Sequence, residues 1–123
     1  MTKKILIADD EQNIVISLEF LMKREGYSVS IANDGEEAVA MIRSEQPDLV
    51  LLDVMMPKKS GFEVCQEIKA DPRLQSVRIL MLTAKGRDTE VAKGLALGAD
   101  GYMTKPFSTK ELVERVRNML AAE

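Results

Sequence analysis

The sequence predicts an α/β fold in which an open, mostly parallel sheet is wrapped by helices on both faces. Two patterns lead there: short apolar runs rich in β-branched residues recur five times, and each is followed by a longer stretch with helical spacing. A third narrows the sheet's middle, because Ile5-Leu6-Ile7, Leu49-Val50-Leu51-Leu52 and Ile79-Leu80-Met81-Leu82 are apolar at successive positions, as strands covered on both faces must be.

The runs are Lys4 to Ala8, Ser28 to Ala32, Asp48 to Leu52, Val77 to Leu82 and Gly101 to Thr104. The first helix is expected to bury Ile14, Leu18, Leu21 and Met22 and to stop at Gly26. Gly98 closes the fourth helix in the same way, and Leu112, Val116 and Met119 form the buried stripe of the fifth. Right-handed crossovers between such units put the reactive crevice beyond the carboxyl ends of the strands, at the topological switch point.

The 123 residues fit one domain, 1–123, and leave no room for a second. No repeat, low-complexity tract or linker interrupts them, and Ala121-Ala122-Glu123 ends either the protein or a piece cut from a larger one. No apolar run approaches the roughly 20 residues of a membrane span, and the first residues lack the order of features a secretory signal needs. A cytoplasmic protein is expected. A net charge of −3 argues against a nonspecific grip on nucleic acid. With one cysteine, Cys65, and no histidine, neither a Cys–His nucleophile nor a typical zinc site can form. Cys65 reads as a small buried hydrophobe, and chemistry falls to carboxylates, hydroxyls and lysine.

Those groups collect at one edge. Asp9 and Asp10 follow the first run, Asp53 ends the third, Thr83 ends the fourth and Lys105 follows the fifth. Taken singly, Asp10 could cap a helix, Thr83 could end a strand and Lys105 could be a solvated lysine. Together they place three carboxylates in one cleft, where a like-charge pair at about 4 Å costs on the order of 4 kcal/mol at an effective dielectric near 20. Hard oxygen ligands without imidazole or thiolate favour magnesium, with manganese a workable substitute. Asp53 could then attack phosphorus to form an acyl phosphate, with Lys105 and the Thr83 hydroxyl on the phosphoryl oxygens and Ala84 leaving space beside Thr83.

The ordered set of Asp9-Asp10, Asp53-Val-Met-Met-Pro57-Lys-Lys-Ser-Gly61, Thr83-Ala84 and Lys105-Pro106-Phe107 resembles the receiver domain of bacterial two-component response regulators. The likeness runs from Lys3 to about Leu120. It implies a flavodoxin-like, doubly wound sheet of five parallel strands in the order 2-1-3-4-5, with five helices in three α/β/α layers. It also implies a signalling domain, not an enzyme acting on other substrates: Asp53 accepts a phosphoryl group from a sensor histidine kinase or a histidine phosphotransfer protein. By the same resemblance Asp9, Asp10, Asp53 and the Met55 carbonyl serve the metal, Pro57 and Gly61 shape the loop that offers that carbonyl, and the Lys105–Pro106 peptide is cis. Tyr102 is the switch aromatic that answers Thr83.

The implied output face is the fourth helix, fifth strand and fifth helix, passing the signal to a downstream effector domain or protein. A phosphorylation-dependent dimer through that face would use Glu111 and Arg115, yet Val91 and Gly101 stand where charged partners are expected. Val15, Ile16 and Phe20 lie off the first helix's expected stripe and read either as a kinase-docking patch or as packing against the last helix. Met55 and Lys85 occupy positions that, in the family, govern attack of water on the acyl phosphate, and a thioether cannot orient that water strongly.

A phosphohydrolase of the aspartate-nucleophile type would want an acid where Met55 stands. A flavodoxin-like electron carrier would need a phosphate cradle where Asp9-Asp10-Glu11 stands, and no G-x-G-x-x-G follows the first strand. A degenerate receiver that only binds partners is the remaining alternative.

Overall fold

The computed structural model describes residues 2–84 and 88–121. Lys85 therefore lies outside the described residues. The elements are β1 (Lys4–Ala8), α1 (Gln12–Arg24), β2 (Ser28–Ala32), α2 (Gly35–Glu45), β3 (Leu49–Asp53), α3 (Gly61–Ala70), a 3-10 turn (Pro72–Leu74), β4 (Arg78–Ala84), α4 (Asp88–Ala96), β5 (Gly101–Lys105) and α5 (Thr109–Ala121). All strand pairs are parallel, in the order β2-β1-β3-β4-β5. The three uniformly apolar runs are the interior strands, as their sequence predicts.

Because side chains alternate along a strand, the sheet divides its apolar residues between two cores. Leu6, Val50, Leu52, Ile79 and Met81 face α2 and α3, where Ala38, Ile42, Val64 and Ile68 meet them. Ile5, Ile7, Leu49, Leu51, Leu80 and Leu82 face the opposite way, toward α1 and α5. Cys65 belongs to the first core, with no exposed surface, and burial pushes its thiol up to about 11.

Helix ends are chemically defined. Gly26 and Gly98 take positive φ angles of 94° and 105° just beyond α1 and α4. Asp34 caps α2 by accepting the Glu37 N–H at 2.8 Å, and Ser60 with Glu63 forms a reciprocal capping box at the start of α3. Asp10 caps nothing, since α1 begins after Glu11 with no side-chain cap.

Two helical faces differ from expectation. In α1 the buried residues are Val15, Leu18, Leu21 and Met22, while Ile14 is only partly covered. Val15 is thus a core residue, and the outward apolar pair is Ile16 and Phe20, exposed by 62% and 64%. In α5 the buried stripe is Leu112, Val116 and Leu120, with Met119 at its margin.

Val15→Ala should cost about 2 kcal/mol of unfolding free energy, by lost burial and the cavity left behind. Ile16→Ala should stay within about 0.5 kcal/mol of the parent. Urea denaturation of the two variants measures both, and equal losses would contradict the observed orientation of α1.

Candidate functional site at the carboxyl edge of the sheet

β1 and β3 are neighbours, in a register that pairs Ala8 with Leu52. The residues immediately after that pair are Asp9 and Asp53, so the sheet itself brings two carboxylates together. Both are buried, as is Thr83 near the end of β4, whereas Asp10 is exposed. Asp9, Asp10 and Asp53 each offer a carboxylate oxygen within 4.8 Å of the others.

One cation stands among them. Lys105 Nζ, at the end of β5, lies 2.9 Å from Asp9 Oδ2, 3.3 Å from Asp53 Oδ1 and 3.4 Å from Glu11 Oε1. Asp9 also accepts the Glu11 N–H at 2.9 Å, and Asp53 accepts the Met55 N–H at 3.4 Å. The peptide joining Lys105 to Pro106 is cis, in agreement with the resemblance.

Burial, followed by the charge of Asp9, raises the Asp53 pKa from 3.8 to about 7, against the opposing pull of Lys105 and the Met55 N–H. For Lys105 burial acts downward, but the hydrogen bond with Asp9 and the charges of Asp53, Asp9 and Glu11 outweigh it, so its pKa is raised. The Thr83 hydroxyl is buried without a hydrogen-bond partner among the described residues. A buried hydroxyl left unpaired costs roughly 1–3 kcal/mol, so this oxygen stands ready for an incoming acceptor.

The loop after β3 is held by close backbone packing. Gly61 N–H donates to the Val54 carbonyl at 2.9 Å, and a Cβ on Gly61 would fall 2.4 Å from the Asp53 carbonyl oxygen. Gly35, at the start of α2, donates its N–H to the Pro57 carbonyl at 3.2 Å, and a Cβ there would fall 2.1 Å from the Lys59 carbonyl oxygen. Lys58 between them adopts a positive φ of 70°, with its ammonium 3.6 Å from Asp34. The role of Gly61 was foreseen, whereas those of Gly35 and Glu11 were not. Glu11 adjoins the acid pair in sequence and so carried a signal, but the Gly35 contact joins two loops with no common motif.

A family model of the response regulator receiver domain matches residues 5–117. The chain belongs to this family. A putative response regulator from Chloroflexus aurantiacus J-10-fl is 37% identical, with a TM-score of 0.94 over 98% of this chain and 99% of its own. The chemotaxis protein CheY4 of Vibrio cholerae is 30% identical, with a TM-score of 0.89 over 97% and 99% of the two chains. A CheY-like receiver domain from Methanospirillum hungatei JF-1 is also 30% identical, with a TM-score of 0.91 over 98% and 95%. Membership makes the chain a receiver of two-component phosphorelay signalling, and among the described residues no helix is long and apolar enough to cross a membrane.

On the β5 side of the receiver, Tyr102 points outward with 41% exposure. Arg115, a suitable half of an intersubunit salt bridge by sequence, donates from Nη1 to the Tyr102 carbonyl at 3.0 Å within its own chain. Leu95 on α4 is exposed as well.

The raised Asp53 pKa carries a sign. The folded receiver binds this proton more tightly than the unfolded chain, so ionising Asp53 costs stability as pH rises from about 3.8 to about 7. Asp53→Asn removes that cost. The melting temperature of the Asn variant, measured without divalent ions, should therefore draw ahead of the parent across this window. Adding magnesium to the parent should narrow the gap at pH 8, and parallel curves at all pH values would refute the assignment.

Proposed function

We propose that this receiver accepts a phosphoryl group on Asp53 from a phosphohistidine of a sensor kinase or phosphotransfer protein. An Asp53 carboxylate oxygen attacks phosphorus, the bond to the histidine nitrogen breaks, and the imidazole leaves with the bonding pair. Lys105 binds a phosphoryl oxygen through its ammonium, and the Thr83 hydroxyl donates to another. Support comes above all from one observation: a buried nucleophile, a partly buried cation 3.3 Å away and a buried hydroxyl without a partner among the described residues meet where the sheet's carboxyl edge opens.

The donor set fits a hard divalent cation: oxygen ligands lie within 4.8 Å of one another, and the chain has no histidine. Asp9, Asp10, Asp53 and the Met55 carbonyl would hold magnesium, or manganese in its place, which supplies charge neutralisation between the carboxylate and the phosphoryl oxygens. The phosphoryl group adds roughly −1.5 to −2 charges, enough to draw Thr83 and Lys105 into new bonds. Tyr102 follows Thr83 inward, and the face built from α4, β5 and α5 changes shape for an effector domain or protein. This role is cytoplasmic, involves no membrane, and leaves any nucleic-acid binding to a partner.

Acetyl phosphate with magnesium should add one phosphoryl mass to the parent and none to Asp53→Asn, read by intact mass spectrometry. Without labelling of the parent, the proposal fails. Thr83→Ala should still label, yet lose the phosphorylation-dependent change in Tyr102 fluorescence. Since Met55 cannot strongly orient water, the phosphorylated form should be long-lived in magnesium buffer, and rapid decay would contradict this.

Ile16 and Phe20 form the kinase-docking patch; Val15, being buried, takes no part. The double variant Ile16→Ala/Phe20→Ala should slow transfer from a phosphorylated histidine kinase while leaving acetyl phosphate labelling intact. Equal loss in both assays would reject the patch.

A further inference from the structure

The chain has eight methionines. Met22, Met81 and Met103 are sealed in the cores at 0%, 2% and 3% exposure, and Met41, Met56 and Met119 are partly buried against them. Met55 alone among the described methionines stands in solvent, at 66% exposure. Its backbone N–H touches the Asp53 carboxylate at 3.4 Å. The most accessible thioether on the described surface is therefore the residue at the mouth of the acidic cleft.

Thioethers are oxidised by peroxides where the oxidant can reach sulfur, and the product exchanges an apolar side chain for a polar one. Cys65, the chain's one thiol, is fully buried. We propose that Met55 is a peroxide-reactive site whose conversion to the sulfoxide shortens the lifetime of the phosphorylated receiver. A sulfur lone pair attacks one oxygen of hydrogen peroxide, an S–O bond forms, and the O–O bond breaks. Hydroxide leaves and takes the proton from the new S–OH group, giving water and the sulfoxide; sulfur is oxidised by two electrons and the peroxide reduced by two.

The consequence for the cleft is chemical. The thioether is a weak acceptor, whereas a sulfoxide oxygen accepts hydrogen bonds strongly and can hold a water in front of Asp53. Peroxide would thus act as a discharge signal at the phosphorylation site without touching the core. The lifetime effect rests on Asp53 being the phosphoacceptor; the order of oxidation does not.

The whole chain, treated with graded hydrogen peroxide and mapped by peptide mass spectrometry, should take its first oxygen at Met55 among the seven methionines whose positions are described. Protein carrying that single oxygen, labelled with acetyl phosphate and magnesium, should lose the phosphoryl group several-fold faster than untreated protein. Methionine sulfoxide reductases of both stereospecificities, with dithiothreitol, should restore the original rate. Met55→Leu, compared with itself before and after the same dose, should show no change.

First oxidation at Met41, Met56 or Met119 would overturn the site. Oxidation at Met55 with an unaltered decay rate would overturn the lifetime effect while leaving the phosphoacceptor assignment standing. Equal acceleration in the parent and in Met55→Leu would overturn it too, by placing the effect elsewhere. Untreated protein that never labels would instead bring down the assignment of Asp53, and the lifetime effect with it.

Discussion

Two carboxylates that the sheet forces into proximity set the terms for everything else in this molecule. Asp9 and Asp53 follow paired residues of adjacent interior strands, so neither can retreat without disturbing the β1–β3 register. Their repulsion is met by one ammonium, Lys105, which faces both as well as Glu11. Burial, and after it the charge of Asp9, raises the pKa of Asp53 against the opposing pull of Lys105, the cation found there among the described residues. An uncharged pair of the same shape would make a more stable protein, which is the usual opposition between stability and function where buried charges are crowded together.

Which strands lie inside the sheet, and which of its edges collects the polar residues, were legible in the sequence for a common reason, whereas the full strand order followed from the family resemblance. Uninterrupted apolar runs mark strands covered on both faces, and the polar residues that end those runs must then emerge at one edge. Asp9, Asp53 and Thr83 each terminate or closely follow such a run, and Lys105 ends the border strand β5 at the same edge. Helix orientation was less legible. Ile14-Val15-Ile16 is three apolar residues in a row, so stripes differing by about 100° score almost alike, and packing against α5 selects Val15. Met119-Leu120 poses the same ambiguity in α5, where the sheet side takes Leu120.

Contacts between loops were illegible for another reason. The approach of Gly35 to the Lys59 carbonyl, and the reach of Glu11 to Lys105, join segments that no local pattern relates. Lys59 in turn pairs with Glu67 of α3, which also lies 3.8 Å from Arg43 of α2. The loop that carries Met55 is therefore tied to α3 and, through Glu67, to α2. Arg115 makes another such contact, donating to the Tyr102 carbonyl 13 residues earlier in its own chain.

Lys105 is carried by β5, the sheet's border strand, which is hydrogen-bonded only to β4, whereas Asp9 and Asp53 extend from strands bonded on both sides. Displacing an interior strand breaks two ladders; shifting a border strand disturbs one. In mechanical terms the anions form a stator and the cation rides on the compliant arm. A displacement of Lys105 would therefore strain one ladder, that of the strand which also carries Tyr102, whereas a displacement of Asp9 or Asp53 would strain two.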